Sequence, residues 1–412
     1  DAVGRGDGRC CGAALAAAVV REVTGYSPAR AAAEPWPKAL KQARTQAELA
    51  RYGRYRWWVR AFWEIRFFFP KWRLPASFPR APIAAGQRAA DDITLVFGGD
   101  VMVKTGDRPV VFAPSLQETL GSADMFFGAL EAPVVARDRD EAVRYPRGLT
   151  MPPFAMPLEF LERQCALAGL APERVCLSVA ANHAGDLGVE AFHHGCALLK
   201  TRGFQIVGEH VADGRLADIV QIGELRLAIL AWTRWMNDDP FEWERPGVNR
   251  QFHVDASDLA AELTDRRAGL AIALPHWGYE MRTEPLSANR QLATDLRRAG
   301  FGLIVGSHPH MLQPLDYQRG TLCAYSLGNF TYTLSNIAKP GRSWRSCLSG
   351  LLEVSVNRTT GAISGYRLIP IVETFDGEDC HLVRLDEYDG PLKSSYDAMV
   401  ANLFPPSDAN HG

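Results

Sequence analysis

The stretch Phe301-Gly302-Leu303-Ile304-Val305-Gly306-Ser307-His308-Pro309-His310 decides how this chain is read. An apolar run closed by Gly reads as a buried strand, here carrying two imidazoles one residue apart to its carboxyl end. Neutral imidazole is a good ligand for Zn, Mn, Fe or Ni, so two of them aimed at one pocket commonly hold metal. By itself the pair reads equally well as two surface histidines. Other strand ends, however, supply the complementary ligand types.

Working outward, strands and helices alternate from residue 93 onward. Residues 93–96 read as a strand ending at Gly98-Gly99-Asp100, and 125–130 as a strand ending at Glu131. Residues 175–179 lead to Asn182-His183, and 270–274 lead to His276. Helices are expected over 157–168, 189–202, 255–267 and 287–299, with short strands near 205–207, 219–222 and 225–231. Residues 322–326, 351–356 and 362–372 read as further strands, the last two antiparallel. Helices interleaved with strands imply an α/β fold whose helices cover the sheets. In such folds binding groups gather where strands finish. Asp100, Glu131, Asn182, His183, His276, His308 and His310 all fall at such ends. Two carboxylates offset the charge of two divalent ions, one of them able to bridge, while imidazoles and an amide oxygen complete the shells. Each residue also has a plainer reading: Asp100 as a turn cap, Glu131 as a solvated strand end, His183 as a satisfied loop histidine, and His276 as a packing partner of Trp277.

The chain of 412 residues is long enough for one large domain or two. Hydrophobic residues at 47% and charged residues at 22% are ordinary for a globular protein. A net charge of −2 provides no global field for nucleic acid, which is not expected as a partner. No apolar run reaches the roughly 18 residues of a membrane-spanning helix. None of the eight cysteines forms a C-x-x-C pair, which argues against a zinc–cysteine site. The compartment stays open between cytoplasm and cell envelope.

Residues 1–90 differ from the rest: Ala-, Arg- and aromatic-rich, without strand alternation. The apolar stretch 13–20 reads as a helical lead-in or the remnant of a signal region. Within 54–72, Trp58, Phe62, Ile65 and Phe69 form one helical stripe among arginines. That stripe can rest at a membrane surface or dock on protein. Pro70, Pro75, Pro79 and Pro82 follow as a linker. The expected organisation is an extension over 1–90, a main domain over 91–373 and a tail over 374–412. Residues 232–252, rich in Trp, read as an irregular insertion in which Trp232, Trp235, Trp243, Arg234 and Arg245 either shape a pocket rim or pack.

Gly99-Asp100-Val101-Met102, Leu130-Glu131-Ala132-Pro133, Ala181-Asn182-His183-Ala184-Gly185-Asp186-Leu187-Gly188, His276-Trp277-Gly278-Tyr279-Glu280, Gly306-Ser307-His308-Pro309-His310 and Tyr325-Ser326-Leu327-Gly328-Asn329-Phe330 occur in this order. Over about residues 93–373 the series resembles the CapA family of poly-gamma-glutamate capsule biosynthesis proteins, a branch of the calcineurin-like metallophosphoesterases. The resemblance implies a four-layer α/β/β/α sandwich with one or two divalent ions (Mn, Fe or Zn) at the loop ends of its sheets. It implies Asp100, Glu131 and His310 around one ion, and Glu131, Asn182, His276 and His308 around a second, with His183 as general acid. Asp186 would orient His183 or cap a helix. Lys104 and Asn329 are candidate substrate contacts, beside the plainer readings of a surface lysine and a turn. Met102 stands where the wider superfamily has a ligand histidine, Ala129 where an Asn is usual, and Ala181 where another Asn usually precedes Asn182-His183.

Three functions follow as expectations. The first is a hydrolase activating water against a phosphoester or related anionic bond. The second is an accessory protein of poly-gamma-glutamate or other capsule polymer synthesis and export. The third is a tailoring enzyme acting on an amide or ester. The expected partner is an anionic small molecule or polymer.

Overall fold

The computed structural model describes residues 74, 78–102, 109–136, 154–210, 215–237, 247–249, 259, 263, 268–332, 344–376 and 379–405. The aromatic-basic segment 54–72, Lys104, Trp243, Arg245, Cys10 and Cys11 lie outside them.

In chain order the first half contains β1 (Ala84–Gly86), β2 (Asp92–Met102), β3 (Val111–Phe112), α1 (Pro114–Gly121), β4 (Met125–Leu130), β5 (Val134–Val135), β6 (Met156–Pro157), α2 (Leu158–Leu167), β7 (Val175–Ser178), α3 (Val189–Thr201) and β8 (Gln205–Val207). Then come β9 (Ala217–Ile222), β10 (Leu225–Thr233), β11 (Leu270–His276), α4 (Ser287–Arg298), β12 (Leu303–Val305), β13 (Leu315–Gln318), β14 (Thr321–Ala324) and β15 (Asn329–Tyr332). The chain closes with β16 (Leu348–Asn357), β17 (Ile363–Asp376), β18 (Asp379–Arg384) and α5 (Lys393–Leu403). Among the described residues one sheet has ten strands, ordered β3-β18-β17-β16-β2-β4-β7-β8, with β1 on β17 and β15 on β2. A second sheet has six, ordered β13-β14-β12-β11-β10-β9.

Side-chain alternation shows how the layers stack. In the second sheet Leu227, Ile229, Ile272, Leu274, Leu303 and Val305 join the large core that also holds Phe97 and Phe127 of the first sheet. The residues between them, Leu230, Trp232, Ala271, Ala273, Ile304 and Cys323, pack with Ala293 and Leu296 of α4 in a separate core. A period of two therefore divides each strand between a sheet-facing and a helix-facing side. Leu116 of α1, Leu161 of α2 and Phe192 of α3 pack into the core of the first sheet. The architecture is a four-layer α/β/β/α sandwich. β2, β4, β7 and β8 pair in parallel, and β4 is buried along its whole length, as expected of strands covered on both faces.

Several boundaries depart from the expectation. Residues 374–405 are no tail: β17 runs to Asp376, β18 extends the sheet, and Leu382, Tyr396 and Leu403 are buried in the main core. The segment before residue 91 joins the domain too, since β1 pairs β17 and Phe78 packs edge-on against Tyr325. Trp232 belongs to β10 rather than to a loop, fully buried with Trp277. Apolar burial on the helix side carried the strand past the residues whose pattern looked irregular. Of the helix expected over 255–267, Leu259 and Leu263 are described, both helical. The six described cysteines are free and buried.

One buried network makes stability depend on pH. Glu209 accepts from His193 Nδ1 at 3.0 Å and from Lys200 Nζ at 2.7 Å. Burial pushes its carboxyl up, but these two donors outweigh that and hold it below the usual carboxylate range. A depressed carboxylate stabilises the fold above its unfolded pKa and loses that contribution as pH falls through the folded value. Glu209→Gln should cost about 1–3 kcal/mol at pH 7, by removing the charged acceptor, and progressively less below pH ~4. Urea unfolding of both proteins across pH 3–7 checks this; parallel stability curves would refute it.

Candidate metal centre

Asp100 can sit where it does because Gly98 and Gly99 precede it. A Cβ on Gly99 would lie 1.8 Å from the Gly328 carbonyl oxygen, and that carbonyl accepts the Asp100 N–H at 3.0 Å. The register of β2 on β4 shifts between Phe97 and Asp100 at this point. The glycine pair therefore lets β15 close on β2 while the bulge re-aims the next side chain. The result is a carboxylate at 0% exposure in the interior.

Glu131, directly after β4, is equally buried and is fixed by its N–H bond to the Val101 carbonyl at 3.0 Å. Its two oxygens face two groups of partners. Oε1 lies 2.8 Å from His276 Nε2 and 3.9 Å from His308 Nδ1, and Oε2 lies 3.8 Å from His310 Nε2. On the far side His310 Nδ1 is 3.0 Å from Asp100 Oδ2. Glu131, His276 and His308 thus form one group of convergent ligand atoms, and Asp100, Glu131 and His310 another. Glu131 is shared between them.

The histidines are held by partners behind them. His276 ends β11 with Nδ1 2.9 Å from Ser307 Oγ and Nε2 2.8 Å from Asn182 Oδ1. In the tautomer that donates Nδ1–H to Ser307, the Nε2 lone pair converges with the Asn182 and Glu131 oxygens. His308 and His310 occupy the left-handed region at φ 91° and 53°. Such strain persists only where surroundings over-determine it, and here the Asp100 carboxylate accepts the His308 N–H at 3.1 Å. Asn329, buried at 3%, sets Oδ1 3.0 Å from His310 Nδ1. Its Nδ2 donates to the Ser346 carbonyl at 3.4 Å.

Electrostatics sort the three ligand histidines. Burial drives His276 and His308 down to about 3, so both are neutral. Burial also disfavours the charged form of His310, but the Glu131 and Asp100 charges outweigh it and lift this group to about 10. Asp100 is itself raised, by burial first and then by Glu131. The metal-free cluster therefore keeps a proton on the His310–Asp100 pair. Both oxygens of Glu131 remain without a hydrogen-bond donor in the interior, since the His276 Nε2 facing Oε1 carries a lone pair in the tautomer that donates to Ser307. An isolated buried carboxylate is costly, and converging lone pairs repel. Those are the features a divalent cation would relieve, so this donor set fits one.

His183 and Asp186 stand beside the cluster. Nδ1 of His183 is 2.8 Å from Asp186 Oδ2, which also accepts the Phe154 N–H at 2.9 Å. The Phe154 ring meets the imidazole edge-on at 4.5 Å. Burial lowers the His183 pKa, but the Asp186 bond and charge, with Glu131 and Glu280 behind, raise it above its ordinary value. At 19% side-chain exposure it is more open than the ligand residues. The Asn182 carbonyl accepts the Asn237 N–H at 3.1 Å, and the Asn237 amide comes within 3.3 Å of His183 Nε2. Sequence reading missed Ser307 and Asn237 as supporting groups. Ser307 was signalled by its place next to His308, whereas nothing local marks Asn237. Met102 is buried in apolar core and supplies no hard ligand.

A 163-residue stretch is 30% identical to the PGA biosynthesis protein CapA of Bacillus subtilis (strain 168), covering 38% of this chain and 42% of that protein. Another alignment, 24% identical over 258 residues, is to the capsule biosynthesis protein CapA of Bacillus anthracis, covering 60% and 61%. The chain thus spans about two fifths to three fifths of these curated relatives. Among solved structures, a 5'-nucleotidase precursor from Thermus thermophilus overlaps at a TM-score of 0.37 and 16% identity, over 75% of this chain and 58% of that one. That overlap is too loose to carry an argument. Residues 94–333, more than half of the chain, match the family described as bacterial capsule synthesis protein PGA_cap, and the chain belongs to that family.

Proposed function

We propose that this chain is a metal-dependent hydrolase acting on a phosphoester or related anionic bond. The observation that carries the reading is Glu131: a fully buried carboxylate without a hydrogen-bond donor, with its two oxygens turned to separate groups of ligand residues. Asp100, Glu131 and His310 would hold one divalent ion, and Glu131, Asn182, His276 and His308 a second. A metal held there polarises a substrate oxygen, lowers the pKa of water and neutralises developing negative charge.

The remaining chemistry falls to His183. The Asp186 bond and charge raise its pKa and so favour the protonated form against the cost of burial, and its exposure lets a substrate reach it. Asp186 fixes the ring through Nδ1, which leaves Nε2–H to deliver a proton to a leaving oxygen. Asp186 is thereby a positioning residue.

A second reading, an accessory role in poly-gamma-glutamate or other capsule polymer assembly, is favoured by the names of the two CapA relatives and by the thioether at Met102. Attachment to the cell envelope would follow from that role. Among the described residues no helix is long and apolar enough to cross a membrane.

Two outcomes separate these readings. With Mn2+ and bis-p-nitrophenyl phosphate, His183→Ala should lower kcat by about 10²-fold or more, the usual contribution of a general acid. Absence of turnover in Mn2+-loaded wild type would leave the accessory reading. An acid catalyst loses activity as pH rises through its pKa, so the alkaline limb of kcat/KM should move to lower pH in Asp186→Asn. An unmoved limb would remove Asp186 from this role. Metal binding should also displace the proton held by His310 and Asp100. Apparent Mn2+ affinity should then rise about tenfold per pH unit between pH 7 and 9, measured by calorimetry in buffers of different ionisation heat. A pH-independent affinity would contradict the protonated cluster.

A further inference from the structure

The loop after β11 carries one more carboxylate at this site. Glu280 lies four residues beyond His276, and its carboxylate oxygen and one ring nitrogen each of His308 and His310 all lie within 4.8 Å of one another. The two histidines are buried while Glu280 is half-buried. Its charge raises the pKa of both His310 and His183.

The backbone on either side is fixed for this approach. Gly278 (φ 90°) and Met281 (φ 59°) both take left-handed conformations, which turn the loop back sharply. The Met281 N–H donates to the carbonyl of Pro309, the residue between the two histidines, at 2.9 Å. Next to it, Gln313 Nε2 donates to the Arg282 carbonyl at 2.8 Å. On the other side the Trp235 indole N–H donates to the Gly278 carbonyl, and Tyr279 stacks on Trp235 at 5.5 Å. Residues 278 to 282 are therefore tied at both ends, and one tie is to the His308–His310 segment itself. A surface glutamate that only solvated a loop would need none of this.

We propose that Glu280 is a ligand of the metal centre, closing with His308 and His310 a third donor group. The inference rests on the metal-centre reading above and adds a residue to it. With Asp100 and Glu131 it brings the anionic donors to three. A further carboxylate also shifts the set towards oxygen, which suits Mn2+ and Fe2+ better than imidazoles alone do.

The test uses the full chain with Mn2+ for affinity and Co2+ for coordination. Wild type, Glu280→Gln and Glu284→Gln are compared by calorimetry and by the visible absorption of the Co2+-loaded protein. Glu284→Gln changes the charge of the same loop equally. Glu280→Gln should weaken Mn2+ binding at least about tenfold, since even groups that only support a ligand cost that much. It should also change the Co2+ spectrum, while Glu284→Gln changes neither. Unaltered affinity and spectrum in Glu280→Gln would overturn the proposal and leave the centre standing. Weakened affinity with an unaltered spectrum would also overturn it, assigning Glu280 a purely electrostatic effect. Failure of wild type to bind either ion would remove the metal centre and this ligand together. If Glu280→Gln does not fold, Glu280→Asp carries the same comparison, since its shorter side chain retracts the oxygen from the two histidines.

Discussion

Two carboxylates stripped of water, Asp100 and Glu131, impose the constraint on which this site is organised. Moving such charges out of solvent is expensive, and each tolerates burial only when opposite charge or strong donors converge on it. Asp100 has the His308 N–H and the His310 ring. Glu131 has only ring nitrogens at its edges and no hydrogen-bond donor. The protein thus invests in placing negative charge where its own groups leave it under-compensated. A cation-binding role gives that investment a reason; packing does not, because apolar side chains of similar size would pack at no electrostatic cost.

The surrounding fold reads as the means of holding that arrangement. Gly98 and Gly99 permit the close approach of β15 to β2, and the register shift between β2 and β4 turns Asp100 inward. The left-handed backbone at His308 and His310 aims two rings, one residue apart, into one volume. Behind three of the rings stands a partner: Ser307 for His276, Asn329 for His310, Asp186 for His183. Such partners fix ring orientation and tautomer, which decides which nitrogen faces the centre. Because these groups come from both sheets, the contact between sheets is also what assembles the site.

Separation of roles follows from depth. The ligand residues are sealed, and burial keeps His276 and His308 neutral, the form that binds metal. His183 is more open, and Asp186 favours its charged form against the cost of burial. One neighbourhood thereby holds two imidazoles that burial keeps neutral beside a third that a carboxylate pushes toward its charged form. Environment sets the difference, since the side chains are chemically identical.

Much of this was legible before any coordinates. Alternating strands and helices from residue 93 onward declared the layered α/β class, and the polar residues at strand ends include Asp100, Glu131, His276, His308 and His310, whose side chains the structure brings together. Local patterns suffice there, since apolar periodicity and ligand type are properties of short segments. The chain beyond residue 373 was misjudged because β18 and α5 are short and mixed in pattern. Their membership comes from pairing with β17 and from burial against distant residues. Trp232 was set outside β10 for the same reason, its environment being made by α4 and Trp277. Asn237 and Glu280 acquired their positions at the site through loops folded across it, and Asn329 through the pairing of β15 with β2. Residue types and their spacing along the chain therefore determined which chemistry was available. Which oxygen faces which nitrogen, and which histidine keeps its proton, was decided by tertiary structure alone, because distance and burial govern electrostatic interaction and neither is a property of a segment by itself.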